Sequence, residues 1–280
     1  RNRYFADISY RTSGSSAYGS ENRFAPMWSF GLGWNLHKEA FLERAKWIDV
    51  LRLTWSWGYN GQTTGSPYQA ITTYRYDNKN MYYTGVGTVP IRMGNPELKW
   101  QRVLKNNFGL DMTLFKERLV IGFDYFRNTT KDQLMSIPLP ASTGAEDITV
   151  NFGENQNVGY EFSVAAQVIR SKNWAWTTVI NGSHVKDRIN RISTTLKNTS
   201  YQIEEDSPLR LRFREGGSQY DIYAVRSAGI DPATGQEIFI DRNGEYTFRY
   251  DADDEVVVGN TQPKLQGTWL NTLRYKGWSL

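Results

Sequence analysis

Only two imidazoles, His37 and His184, stand among the 29 carboxylates of this 280-residue chain, and there is no cysteine. General acid–base catalysis and nucleophilic attack both need partners within hydrogen-bond reach of one another. His37 falls in a short charged link and His184 near the opposite end of a later segment, so the sequence gives them no reason to meet. GxSxG, HExxH and glycine-rich phosphate loops are missing, and no spacing singles out one carboxylate pair as acid and base. Without thiols there is no disulfide or thiolate chemistry. The chain reads as non-enzymatic.

Binding chemistry has better candidates. Tyr74, Tyr76, Tyr82 and Tyr83 gather in a long polar stretch from about Gly61 to Glu97. Such rings stack on sugars or on a lid protein, or pack the stretch onto itself. The segment GIDPATGQEIFIDRNG holds Asp231, Asp241 and Asn243, and its DxNG resembles a fragment of a calcium loop. Regularly spaced oxygen ligands and a closing bidentate Glu are lacking. A hairpin tipped by Arg242-Asn243-Gly244, where Asn-Gly supplies positive φ, explains it with less. No metal or cofactor is therefore expected, calcium in the loops or in a partner being the alternative. The acidic run DADDEVV, Asp251 to Val257, reads as a solvated loop face. A formal charge of +4 with both signs interspersed gives no basic stripe for nucleic acid.

These side chains need elements to hold them, and period-two alternation supplies the elements. In MWSFGLGWNL, Trp28, Phe30, Leu32, Trp34 and Leu36 share one parity, while Met27, Ser29, Gly31, Gly33 and Asn35 share the other. In LRLTWSWGYN, Leu51, Leu53, Trp55, Trp57 and Tyr59 oppose Arg52, Thr54, Ser56 and Gly58. Further on, Phe108, Leu110 and Met112 oppose Lys105, Gly109 and Asp111; Phe123 and Tyr125 oppose Asp124; Tyr160 and Phe162 oppose Glu161. Trp174, Trp176, Thr178 and Ile180 continue the pattern. One face is thus aromatic and aliphatic, with Trp28 and Trp34 toward its two margins. The other is small and polar, with Arg52, Lys105, Asp111, Asp124 and Glu161 as charges that line a path or meet a plug.

The links between these strands alternate long and short. The long ones are the Gly/Ser-rich 11–26, the stretch 61–97, an excursion from Arg127 to Gln156, and one from about His184 to Pro263. The short ones are HKEAFLERAKW, FKER, SKN and YKG. A Greek-key sandwich has no reason to sort its links this way, whereas an up-and-down membrane barrel does, with short periplasmic turns and long outer loops. The mean hydropathy of -0.59 does not oppose this, because lumen and loops dilute the lipid-facing half of each strand. About eight strands are expected, with a ninth starting at Gly277; because an open sheet edge is costly in lipid, they form part of a larger barrel. The alternative is a soluble, secreted β-rich carbohydrate-binding or adhesin module with an aromatic surface, which detergent dependence would distinguish.

Five ordered segments resemble the barrel signatures of SusC-like (RagA-type) TonB-dependent outer-membrane transporters. They are SENRFAPMWSFGLGWNLHKEAF, NPELKWQRVLKNNFGLDMTLFKERLVIGFDYFRNTTKDQL, STGAEDITVNFGENQNVGYEF, GIDPATGQEIFIDRNG and GNTQPKLQGTWLNTLRYKGWSL. The resemblance implies an all-β, antiparallel transmembrane barrel of 22 strands in the outer membrane of a Gram-negative bacterium. Residues 1–280 would be part of that barrel domain, without plug, TonB box, signal peptide or the last strands. It also implies import of oligosaccharides or peptides with a SusD-like surface lipoprotein as lid and TonB as energy source. Gln101 stands where the family has an acidic residue after the NPxLKW tryptophan. NPELKW itself reads as structural, Pro96 setting a turn where the chain re-enters the barrel from a long loop.

Overall fold

The computed structural model describes residues 2–62, 67–82, 85–145, 147–192 and 214–280. It divides into two compact units, residues 1–186 with 265–280, and residues 187–264.

The first unit is built on strands β1 (Tyr4–Gly14), β2 (Phe24–Asn35) and β3 (Ile48–Gln62). A separate hairpin follows, β4 (Thr73–Tyr82) with β5 (Gly85–Arg92). The main sheet resumes with β6 (Gln101–Leu114), β7 (Leu119–Pro138), β8 (Asp147–Arg170) and β9 (Trp174–Ile192). In the second unit, β10 (Asp221–Ala224) pairs with β14 (Val256–Asn260). Between them β11 (Arg226–Ile230), β12 (Glu237–Ile240) and β13 (Tyr246–Thr247) make a small meander. The chain returns to the main sheet as β15 (Gln266–Tyr275) and β16 (Trp278–Ser279). The nine main strands lie in the order β1-β2-β3-β6-β7-β8-β9-β15-β16, so each meets its predecessor in the sheet. No helix among the described residues is long and apolar enough to cross a membrane.

The expected strands and short turns are all present, but the long excursions differ from expectation. The one placed at 127–156 is largely strand: β7 and β8 pair from Leu119↔Ala166 out to Pro138↔Asp147. Alternation fades there because the pairs from Asn128↔Asn157 to Lys131↔Glu154 are polar on both faces, and the apolar pairs Met135↔Val150 and Ile137↔Ile148 resume only beyond the bulge. The backbone ladder needs no side-chain pattern to continue. A bulge interrupts the ladder at Asp132, which has φ 54°. The stretch 61–97 is partly structured through β4–β5, and the last excursion begins only after β9 ends at Ile192.

Cross-strand register fixes the faces, since directly paired residues point to the same side. Leu32, Trp55, Phe108, Tyr125 and Tyr160 pair in succession, and the Tyr160 ring continues to His184 at 5.3 Å. One row nearer the short turns, Trp34, Leu53, Leu110, Phe123 and Phe162 do the same. One row farther out, Phe30 and Trp57 give way to Asn106 and Arg127. In β3 the apolar row from Leu51 to Tyr59 covers about 26 Å along the strand at roughly 3.3 Å per residue. Tilted by about 40°, that row rises about 20 Å, most of the roughly 25 Å apolar band of a membrane barrel.

The turn between β6 and β7 is unusual. Phe115, Lys116 and Glu117 all have positive φ, 57°, 59° and 64°, without a glycine among them. Each such residue costs about 1–2 kcal/mol relative to ordinary backbone. Two bonds offset this: Phe115 N–H donates to the Trp47 carbonyl at 2.8 Å, and Glu117 N–H to Asp49 Oδ2 at 3.0 Å.

Candidate functional site

At the long-connection end of the first unit, NPELKW is held as a clasp. Leu98 has no exposed surface and Trp100 is 5% exposed; they pack with Tyr18, Ala25 and Met27 in a buried cluster. Asn95 Oδ1 accepts from Glu97 N–H at 3.1 Å, an Asx turn that prepares the bend after Pro96. Asn95 Nδ2 donates to the Thr149 carbonyl, and Asn151 exchanges two bonds of 3.0 Å with the Lys99 backbone. From the other side, Gly19 N–H donates to the Leu98 carbonyl at 3.1 Å, and Trp100 Nε1–H to the Arg23 carbonyl at 3.1 Å. A side chain at Gly19 would collide with the Pro96 carbonyl. The structural reading of NPELKW thus gains partners that nothing in the sequence marked: Tyr18, Gly19 and Asn151 contact it across long sequence separations.

The polar face carries the expected charges in two shallow grooves. One, of about 580 Å³, includes Asp124, Glu161, Ser163, Asn181 and Thr268 in its lining. Asp124 and Glu161 are a directly opposed pair, so two carboxylates stand side by side. Gly109 makes room beneath them: a Cβ there would lie 2.5 Å from Thr54 Oγ1 and 2.9 Å from Asp124 Oδ1. The other groove, about 320 Å³, has Arg11 and Lys105 among serines and asparagines. Arg52 is opposite Asp111 in register but makes no ion pair with it; its Nε–H donates to Asn35 Oδ1 at 3.1 Å.

On the opposite face lie Trp28, Phe30, Leu32, Trp34, Trp55, Trp57, Trp174 and Trp176, as their parity predicts. Three of these indole N–H groups have side-chain acceptors. Trp55 donates to Asn106 Oδ1 at 2.8 Å, Trp176 to Asn271 Oδ1 at 3.2 Å, and Trp34 to Glu39 Oε1 at 3.1 Å. Glu39, in the link after β2, also accepts from the Tyr4 hydroxyl at 2.7 Å and lies 3.5 Å from Arg3. The Tyr4 bond first, then the Trp34 bond, with Arg3 adding, hold its carboxyl below the ordinary range against a smaller effect of burial.

Tyr74 and Tyr76 project from β4, 64% and 75% exposed, on one face of the hairpin. Tyr82 closes that strand, its side chain outside the described set, and Tyr83 lies outside the described residues. In the second unit, Asp231 and Asp241 spend their oxygens on their own turns. Asp231 accepts from the Thr234 hydroxyl and Ala233 N–H, and Asp241 from the N–H groups of Glu245 and Asn243. Both carboxyls are held below the ordinary range, the Thr234 hydroxyl and the Glu245 N–H being the leading causes. The hairpin expected at 241–245 is present, but only Gly244 takes positive φ, 91°, and Asn243 does not. His37 and His184 stay apart: His37 Nδ1 accepts from Leu51 N–H at 3.2 Å, and His184 packs on Tyr160 in a different strand.

Sequential strands paired in one antiparallel sheet, with one aromatic-apolar face and one small and polar face, define a stretch of membrane β-barrel wall. The structure does not sort the connections by length as expected: 139–146 between β7 and β8 is shorter than 36–47 between β2 and β3. The chain belongs to the TonB-dependent receptor-like β-barrel family, whose model matches residues 2–280. TonB-dependent receptor P39 of Formosa agariphila is 27% identical over 99% of this chain and 30% of its own length. TonB-dependent receptor SusC of Bacteroides thetaiotaomicron is 28% identical over 91% of this chain and 27% of its own. A solved structure of the RagAB peptide transporter superposes with a TM-score of 0.85 at 26% identity, covering 99% of this chain and 30% of that one. The chain therefore spans under a third of the length of these relatives. The SusC-like resemblance is borne out, the family is one of outer-membrane barrels, and its members are receptors and importers, not enzymes.

Proposed function

We propose that this chain forms part of the wall of an outer-membrane importer of oligosaccharides or peptides, working with a SusD-like lipoprotein lid and energised through TonB. The observation that carries the reading is the unbroken row Leu32, Trp55, Phe108, Tyr125 and Tyr160, large apolar and aromatic side chains that are all exposed, 37% to 44%. In this reading Trp28, Phe30, Leu32, Trp34, Trp55, Trp57, Trp174 and Trp176 face lipid. Arg52, Lys105, Asp111, Asp124 and Glu161 face the lumen, where they meet the plug. Tyr74 and Tyr76, with Tyr82 and Tyr83, belong to an outer loop that meets substrate or lid. No metal or cofactor takes part. Both solute classes are retained because the SusC-like resemblance implies both, while the description of one structural neighbour names peptides alone.

The test is uptake by cells carrying or lacking the full-length gene, with labelled oligosaccharides and labelled peptides supplied separately. Loss of one uptake on deletion, and again on removal of TonB, is the expected result. Uptake of both classes unchanged by deletion sinks the proposal.

A further inference from the structure

At the short-turn end of the first unit, the side chains of Arg44, Lys46, Lys116, Arg118 and Arg170 line one shallow depression of about 780 Å³. They come from three places: the link before β3, the β6–β7 turn, and the end of β8. The remaining lining is Trp47 and Phe115, whose rings stack at 5.9 Å with planes 25° apart. No carboxylate lines the depression, and among the described residues none of the five cations makes an ion pair or a side-chain hydrogen bond. The nearby Asp49 carboxylate is engaged by Glu117 N–H, and the three left-handed residues of the turn fix Phe115 against Trp47 with Lys116 at the tip.

Five cations around one depression, none of them held in an ion pair among the described residues, suit an anion. The two rings, 51% and 52% exposed, add what a free anion does not use, and exposed Val168, near the same end of β8, shares the parity of Tyr160 and Phe162 on the apolar face. Aromatic rings beside cations suit the headgroup level of a bilayer, where rings sit near the acyl boundary and Lys or Arg meets phosphate. We infer that this depression binds the phosphate of an anionic glycerophospholipid in the leaflet next to the short turns, its acyl chains lying along Val168 and the apolar face. The inference rests on the membrane-wall reading above.

The experiment is native mass spectrometry of the full-length transporter in detergent, titrated with an equimolar mixture of phosphatidylglycerol and phosphatidylcholine. Wild type is expected to retain the anionic lipid preferentially. Neutralising Lys116→Gln, Arg118→Gln and Arg170→Gln should reduce that preference by up to about fivefold per charge. Neutralising Lys99, Lys131 and Arg249 together should leave it intact. Heat-modifiable gel migration confirms that each variant is folded, and Arg170→Gln alone, at a strand end, serves if the triple variant is not. Equal retention of both lipids by wild type, or a preference that survives neutralisation, overturns the inference. Displacement of the lipid by millimolar inorganic phosphate overturns it too, by making this a free-anion site. A transporter that stays monodisperse without detergent would sink the membrane reading and this inference with it; equal lipid retention by a detergent-requiring protein sinks the inference alone.

Discussion

The Trp100 indole stacks on the Tyr18 ring with centroids 4.7 Å apart and planes 22° apart, joining the β1–β2 connection to the strand that follows NPELKW. The Tyr18 hydroxyl donates to the Gln62 carbonyl at 3.2 Å, so the pair also touches the end of β3. The β1–β2 connection and the two ends of the β3–β6 connection are thereby closed over one buried cluster.

Trp100→Ala should cost about 3–5 kcal/mol at this cluster, through lost burial and a cavity that the surrounding ladders cannot close. Trp100→Phe keeps the stack and loses only the bond to Arg23, about 0.5–1.5 kcal/mol. Limited proteolysis of the folded transporter reads this out: the alanine variant should be cut within 14–24 well before the phenylalanine variant or wild type.

Gly19→Ala should open the same clasp by steric means, since the obstacle is the Pro96 backbone and cannot rotate aside. Gly235→Ala is the contrasting case. It has φ 72° and open space around it, so its cost is backbone strain alone, about 1–2 kcal/mol, and it leaves the clasp protected. Equal protease sensitivity of the two variants would contradict the steric account.

Glu39 sets a pH limit on the join between β1 and the first short link. Its folded-state carboxyl titrates below the ordinary value of 4.5, so its contribution is complete above that value and is lost as pH falls through the lower, folded value. Thermal denaturation of wild type, followed by gel migration, should therefore be insensitive to pH near neutrality and weaken only in acid below 4.5. Glu39→Gln should lack that acid-dependent part.

Leu110→Lys, in the middle of the apolar band, should destabilise the inserted barrel by about 2–4 kcal/mol, whereas Asn107→Lys on the polar face should be nearly neutral. Folding into vesicles from urea measures both. Equal effects would mean that the face assignment is wrong.

Asp241→Ala removes the acceptor for the N–H groups of Glu245 and Asn243 and frees the turn that presents Arg242. Tryptic cleavage after Arg242 should accelerate, with no change in the denaturation of the main sheet.

The sheet was legible from sequence because one apolar face and one polar face impose a strict two-residue period, and Leu51 to Tyr59 shows it without interruption. Where that constraint ends, so does legibility. The outer halves of β7 and β8 keep their ladder but carry Thr129, Asn128 and Asn155, whose types do not separate strand from loop. The clasp was half legible: Pro96 announced a turn, while Tyr18 and Asn151 are ordinary loop and strand residues until the fold brings them together. The facing carboxylates Asp124 and Glu161 were each assigned to the polar face, but their adjacency depends on register, which hairpin length alone left open.

The paired extension of β7 and β8 has a practical use. Its tip, 139–145, is a short connection carried on a two-stranded stalk beyond the apolar band, and the stalk's backbone bonds do not depend on the tip's sequence. An epitope or fluorophore-acceptor peptide spliced there would stand clear of the apolar band while the register of the main sheet stays unchanged. A single-residue insertion lower down, between Leu119 and Tyr125, would instead exchange every greasy side chain for its polar neighbour.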